Sequence, residues 1–314
     1  MKQGLTPIIP FEPVLVEKIP RGEQWAAQVK WDGVRMLTYH DGENTRLFNR
    51  RLNERTLQYP ELADIKDYCR ASSVVLDGEV IALVDGRPSF SQVMKRDGAR
   101  LPANIERARR NIPVTHMLFD VLFLNGEWMT HLPLHQRQSV LSDIIIPREH
   151  VRLVENFYNG EGLYRAVSER GMEGIVCKDL HSSYAIEGKD RRWQKIKNYR
   201  DLIAVVGGVT YRAGVVNSVL LGLYDREGDL RYIGHAGAGR LTMSDWRSLT
   251  ALVRPLQLDR LPFVNTPGQV RGAVGVKPRL TARVQFAEWT ADRQLRQPSI
   301  QAFVDLPSDR YVFE

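Results

Sequence analysis

Cysteine is scarce: Cys69 and Cys177 are the two in 314 residues. They stand at no metal-type spacing and offer no disulfide framework, which fits a reducing cytosol. Long apolar runs are missing as well. No segment approaches the roughly 20 apolar residues of a membrane span. The opening MKQGLTPIIPFEP has no apolar stretch long enough for a signal peptide. A cytoplasmic protein with no membrane association is therefore expected. Low-complexity linkers, repeats and coiled-coil heptads are also absent from the sequence. Acidic residues are in deficit, 37 against 44 Lys and Arg, leaving a net charge of +7. That balance favours polyanionic partners such as nucleic acid and says nothing about fold.

What is present is a succession of short strand-like runs. WAAQVKW, VRMLTYH, TRLFNR, SSVVLDGEVIALV, VTHMLFDVLFL, GIVCK and WQKIKNY are separated by turn signals such as His40-Asp41-Gly42 and Asp85-Gly86-Arg87-Pro88. Helical patterns intervene at Ser89–Lys95, Leu134–Ile144 and Gly160–Arg170, the last closed by Gly171. From Asp201 the texture becomes consecutive strands with one helix, Thr242–Val253. The chain reads as α+β: a domain of mostly antiparallel sheets over residues 1–200, then a strand-rich domain over 201–314 of a size that suits a small barrel such as an OB-fold.

Within QVKWDGVRM, Lys30 stands between Val29 and Trp31, with Arg35 close behind. A lysine against apolar surface and near a second cation loses proton affinity, which is how an amine becomes a nucleophile near neutral pH. A strand lysine whose stem snorkels along a sheet would look the same. Its company weighs on the choice. VVLDGEVI places Glu79 after an Asp-Gly bend, LFDVLF sets Phe119 beside Asp120, and MEGIVCKD puts Glu173 at a strand start. RRWQKIKNY alternates Lys195 and Lys197 on one strand face. Singly, these read as solvated strand ends, a core ring and a basic edge.

In this order, the motifs resemble those of the covalent nucleotidyltransferases, which comprise ATP-dependent DNA ligases, RNA ligases and mRNA capping enzymes. Lys30-Trp31-Asp32-Gly33-Val34-Arg35 is similar to the lysine-adenylate motif, and Asn49-Arg50-Arg51-Leu52 to the turn that follows it. Asp77-Gly78-Glu79, Phe119-Asp120, Glu173-Gly174 and Lys195-Ile196-Lys197 resemble the remaining motifs. The resemblance implies an antiparallel-sheet nucleotidyltransferase domain followed by an OB-fold barrel, with ATP and Mg2+ (or Mn2+) as cofactors. It implies that Lys30 attacks the α-phosphate of ATP. Gln28, Arg35, Arg50, Glu79, Phe119, Arg191, Lys195 and Lys197 would hold the nucleotide, Phe119 by stacking on adenine, and Glu79 and Glu173 would ligate the metal. Hard carboxylate oxygens suit magnesium, and phosphoryl transfer rests mainly on positioning and charge neutralisation.

LLGLYDREGDLRYIGHAGAGR looks like the OB-domain stretch of DNA ligases, and DLIAVVGGVT is similar to the ligase domains of bacterial end-joining enzymes. Because Lys30 lies near the start, a minimal, monomeric DNA ligase is implied. It would seal 5′-phosphate/3′-hydroxyl nicks in duplex DNA through lysyl-adenylate and DNA-adenylate intermediates, with a Ku-type end-binding protein as partner. Arg50, Arg51 and Arg240 would grip DNA, joined by Arg55, Arg231, Lys277 and Arg279. An RNA ligase, a capping-type enzyme and a DNA-end-binding module without self-adenylation are the alternatives. Three positions depart from the family pattern. Gln28 stands where Glu is usual, and its amide can present oxygen to adenine N6 or NH2 to guanine O6. Leu52 replaces a glycine, so a different turn is expected. Val304 replaces the arginine of the C-terminal motif, with Arg293, Arg296 or Arg310 as substitutes.

Overall fold

The computed structural model describes residues 5–237, 239, 241–265, 270–290 and 292–304. The chain divides into two compact units, Met1–Asn198 and Tyr199–Glu314.

The first unit holds two sheets. A four-stranded sheet runs in the order β1 (Glu12–Leu15), β9 (Lys189–Lys197), β8 (Gly174–Asp179), β2 (Trp25–Val29), antiparallel except where β1 lies parallel to β9. The second is seven-stranded and built on β4 (Thr45–Asn49), β3 (Val34–His40), β5 (Val74–Val84) and β6 (Val114–Leu124). The short β7 (Val151–Leu153) runs parallel to β6, and two two-residue strands complete it. The packing between the sheets is aromatic: Phe11, Tyr39, Phe48, Phe123, Tyr184 and Trp193 cluster with Leu37, Val75 and Leu122. Full burial of a side chain such as Phe11 contributes about 2–3 kcal/mol.

Helices α1 (Phe90–Asp97) and α3 (Leu134–Ile144) lie over the other face of the larger sheet, and their Val93 and Leu141 join Met36, Leu76 and Leu118 in its core. Helix α4 (Gly160–Glu169) places Leu163 and Val167 against Ile175 and Cys177 of β8. Its start is capped by Asn159, whose Oδ1 accepts from Gly162 N at 2.9 Å. A further helix, α2 (Pro102–Asn111), is missing from the sequence reading: PANIERARRN offers a short apolar side of Ile105 and Ala108, both only half-buried, and the helix fully buries no residue.

The second unit is a barrel. Strand β10 (Arg200–Arg212) pairs with β11 (Val215–Tyr224) on one side and β13 (Val274–Phe286) on the other. Strands β12 (Leu230–Ala236) and β14 (Ser299–Val304) extend the two ends, and a parallel bridge from Gly239 to Ile300 joins them. A Cβ at Gly239 would stand 1.9 Å from Ile300 O, so closure requires glycine there. Helix α5 (Met243–Val253), opened by a Thr242–Asp245 capping box, turns Trp246, Leu249 and Val253 onto a core of Val206, Leu221, Ile233 and Val284. This is the OB-fold arrangement.

Candidate active site

Period-two alternation sets the working face of the smaller sheet. Val176 pairs with Lys195 and with Gln28, Lys178 pairs with Trp193, and Gly174 pairs with Lys197. These side chains share one face, while Ala27, Ile175, Cys177 and Ile196 turn the other way into the α4 core. On the larger sheet Arg35, Glu79 and Met117 stand in one cross-strand row.

Lys30 follows β2, and its N–H donates to Gly174 O at 2.9 Å, carrying the ladder one residue further. Gly174 has φ +135°, and a Cβ there would stand 2.1 Å from Ile196 O. Only glycine lets the backbone after Glu173 pass so close. Glu173 is thereby set beside two lysines: Lys30 Nζ lies 2.6 Å from its Oε2 and Lys197 Nζ 3.2 Å from its Oε1. Burial alone would raise the Glu173 pKa, but Lys30 and Lys197 outweigh it and hold the carboxyl below its ordinary value. Val29 packs with the α4 core, and the ammonium meets a carboxylate.

Glu79 is partly buried, and loss of hydration pushes its pKa up to about 7 against the opposing pull of Lys30 and Arg35, with Glu173 and Asp32 adding repulsion. It therefore favours a proton or a cation near neutral pH. Lys195 is shifted the other way. Burial first, and then neighbouring Lys30, Lys197 and Lys189, lower its pKa. Three lysines thus converge where an anion would relieve their repulsion.

Arg35 is anchored within the protein through its Nε and Nη2. It makes a bidentate pair with fully buried Asp77, Nε to Oδ1 and Nη2 to Oδ2 both at 2.6 Å, and Tyr184 Oη donates to the same Oδ2 at 2.8 Å. Burial opposes its charge, yet Asp77 prevails and keeps the guanidinium well above its ordinary pKa. Phe119 is half-buried against the inter-sheet core. Trp193 meets it edge-on at 6.0 Å, the Arg35 guanidinium lies 4.8 Å from its ring centre, and Lys178 Nζ lies 3.8 Å from it. Asp120 is occupied by buried Arg137 of α3 in a second bidentate pair, both bonds 2.8 Å.

Lys178 escaped notice in the sequence. Its Nζ, 3 % exposed with its residue, makes no hydrogen bond among the described residues and sits over Phe119 and Trp193. Burial pushes its pKa down to about 7, with Asp120 pulling upward. Strand alternation from Val176 was the signal that would have placed it on this face.

The remaining candidates lie further out. Arg191 is exposed at the head of the lysine strand, and Arg50 and Arg51 are exposed in the turn after β4. Arg50 Nη1 is 3.2 Å from Glu12 Oε1. In that turn Leu52 itself takes φ +59°, the left-handed backbone that favours glycine. Asn49 Oδ1 holds it by accepting from Arg51 N at 3.0 Å and Asn53 N at 3.1 Å. Arg55 is bound to Asp97 at 3.0 Å and mostly buried, which removes it from the DNA-contact set. Arg231 pairs with Asp225 at 2.6 Å. Arg240 and Arg310 lie outside the described residues. Val304 ends β14 opposite Thr281, whose hydroxyl donates to its carbonyl at 2.8 Å, and Arg296 pairs with Glu288 at 2.6 Å.

Comparison with known proteins agrees along most of the chain. Residues 13–197 match the family model described as ATP dependent DNA ligase domain, and residues 212–305 match ATP dependent DNA ligase C terminal region. Over 306 residues the chain is 29 % identical to a DNA ligase of Thermococcus fumicolans, covering 93 % of this chain and 52 % of that protein. It is 32 % identical over 291 residues to the multifunctional non-homologous end joining DNA repair protein LigD of Mycobacterium tuberculosis, covering 89 % of this chain and 36 % of that one. The chain thus spans about half or less of these curated relatives. Among solved structures, the ligase domain of M. tuberculosis LigD superimposes with a TM-score of 0.52 at 28 % identity, covering 98 % of both chains. A Lig E DNA ligase described as binding DNA with a minimal scaffold shares the fold, with a TM-score of 0.61 at 16 % identity, covering 93 % of this chain and 99 % of that one.

Proposed function

The chain belongs to the ATP-dependent DNA ligase family, and on that premise we propose that it seals 5′-phosphate/3′-hydroxyl nicks in duplex DNA with Lys30 as its nucleophile. The observation that carries this reading is the placement of Lys30, 2.6 Å from Glu173 and on a strand face shared with Lys195 and Lys197. A lysine alone would be weak support; a lysine flanked by a carboxylate and two further cations suits a site for a triphosphate.

In the first step the Lys30 amine, freed of its proton, forms a bond to the α-phosphorus of ATP and pyrophosphate leaves. The nick 5′-phosphate then takes the adenylyl group, returning the lysine, and the 3′-hydroxyl attacks the phosphorus of the nick 5′-phosphate and expels AMP. Lys195, Lys197 and Arg191 steady the phosphates, and Phe119 supplies the stacking ring, worth about 1–3 kcal/mol per base. Arg35 supports Phe119, its guanidinium lying 4.8 Å from that ring centre and 5.6 Å from that of Trp193, the ring that meets Phe119 edge-on. Glu79 fits a divalent cation, because its buried carboxyl retains a proton near neutral pH unless another positive charge replaces it. Glu79 and Glu173 would hold magnesium or manganese, which would neutralise phosphate charge.

DNA is held through exposed arginines, Arg50 and Arg51 in the first unit. A role in end joining beside a Ku-type protein rests on likeness to LigD. Incubation with α-labelled ATP and Mg2+ should leave label on the protein after a denaturing gel, and a nicked DNA duplex should be sealed faster than a nicked RNA duplex. Label from GTP in place of ATP would move the chain to capping chemistry. An unlabelled protein that binds DNA ends would leave only an end-binding module.

A further inference from the structure

Gln28 left one question open in the sequence: whether its amide offers oxygen or NH2 to a purine. The answer lies two residues before Lys30 on β2, where Gln28 is 2 % exposed. Its Nε2 donates to Asn156 Oδ1 at 2.9 Å; Asn156 Nδ2 donates to Gln138 Oε1 at 2.8 Å; Gln138 Nε2 donates to the Phe119 carbonyl at 3.4 Å. A carbonyl oxygen can only accept, so the last amide is oriented by it. Each earlier amide is then oriented in turn, because a reversed amide would set oxygen against oxygen or NH2 against NH2. The members are also held in place. Phe157, next to Asn156, exchanges both backbone bonds with Ala27 at 2.8 Å, and Gln138 follows Arg137, locked to Asp120. Gln28 Oε1 remains, accepting no hydrogen bond among the described residues.

We propose that Asn156 and Gln138 are specificity-positioning residues: anchored on the Phe119 carbonyl, they fix the Gln28 amide with its oxygen free to accept from a 6-amino purine and so exclude a 6-oxo purine. The inference rests on the reading of this cleft as the nucleotide site. It ties the base-reading atom to the backbone of the residue that supplies the stacking ring. A 6-oxo base would set its own acceptor against Gln28 Oε1, leaving two oxygens unpaired.

The test measures kcat/KM for self-nucleotidylation with ATP and with ITP, which carries oxygen at C6. The wild-type chain should prefer ATP by about tenfold or more, the scale set by one unsatisfied buried polar contact. Asn156→Leu and Gln138→Leu free the Gln28 amide to rotate, and each should lower that preference severalfold, mainly through KM. Asn156→Asp can still accept from Gln28 Nε2 and should retain the preference. A merely structural role would slow both nucleotides equally and leave the ratio unmoved. Equal use of ATP and ITP by the wild-type chain overturns the proposal even if no leucine variant folds, as does an unchanged ratio in folded leucine variants. Failure of the wild-type chain to be labelled by any triphosphate overturns the nucleotide-site reading and this proposal with it.

Discussion

Lys30 and Glu79 carry the sharpest expectations. Lys30→Ala should abolish protein labelling by ATP, and Lys30→Arg should fail too, because a guanidinium stays protonated and cannot attack. A nick supplied already adenylated should still be sealed slowly by Lys30→Ala, since the lysine nucleophile is not needed after the first step. A circular-dichroism melt distinguishes this from misfolding. For Glu79 the pH dependence follows from a carboxyl whose folded pKa is raised to about 7 from an ordinary 4.5. The folded chain holds that proton where the unfolded chain has released it, so this contribution to stability is complete below the unfolded value and is lost as pH rises toward 7. Glu79→Gln should therefore melt a few degrees higher than wild type at pH 8 without metal, while losing labelling activity. In the wild type, the magnesium concentration for half-maximal labelling should rise about tenfold per pH unit below 7, as a proton competes for the same oxygens. A magnesium requirement flat from pH 5.5 to 8 would remove Glu79 from the metal site.

Strand β8 shows how an element sets the chemistry. Gly174→Ala must accommodate both φ +135° and a contact 2.1 Å from Ile196 O, so it should cost about 3 kcal/mol or more in denaturant unfolding and disturb the Lys30–Glu173 pair. Substitutions in α2 should behave oppositely. Arg110 and Arg109 pair with Glu106 on the surface, and Arg110→Ala should change stability by no more than about 0.5 kcal/mol. The same contrast explains which elements the sequence disclosed. α3 buries Leu134 and Leu141 and α4 buries Leu163 and Val167, which makes them readable; α2 offers only half-buried Ile105 and Ala108 against four charged residues, although Pro102 at its first turn is a usable signal.

In the whole molecule, the two units bury separate cores, one around Met36, Leu76 and Leu118 with the inter-sheet aromatics, the other around Val206, Leu221 and Trp246. A fragment ending at Asn198 should therefore keep its strand content and still take label from ATP, yet bind and seal nicks more weakly than the full chain. On the proposed function, the chain's net charge of +7 makes phosphate contacts the expected main source of nick affinity. Log K against log[salt] should slope by about −0.9 for each contact, with no dependence on base sequence. An affinity flat between low and high salt would contradict that account.

The order of motifs, the alternation of Lys195 and Lys197 and the shift to consecutive strands after Asp201 were all local patterns, written in neighbouring residues and therefore legible without coordinates. Long-range pairing was not. That Arg35 answers to Asp77 and Asp77 in turn to Tyr184, that Lys178 lies over Phe119, and that Gln28 is oriented through Asn156 and Gln138 depends on contacts between residues as many as 128 positions apart. Those partners are chosen by sheet register and by which faces pack, and no spacing rule within one strand encodes a register between two. Composition and periodicity fix what each segment can offer; the fold assigns each buried charge and amide the partner it must satisfy.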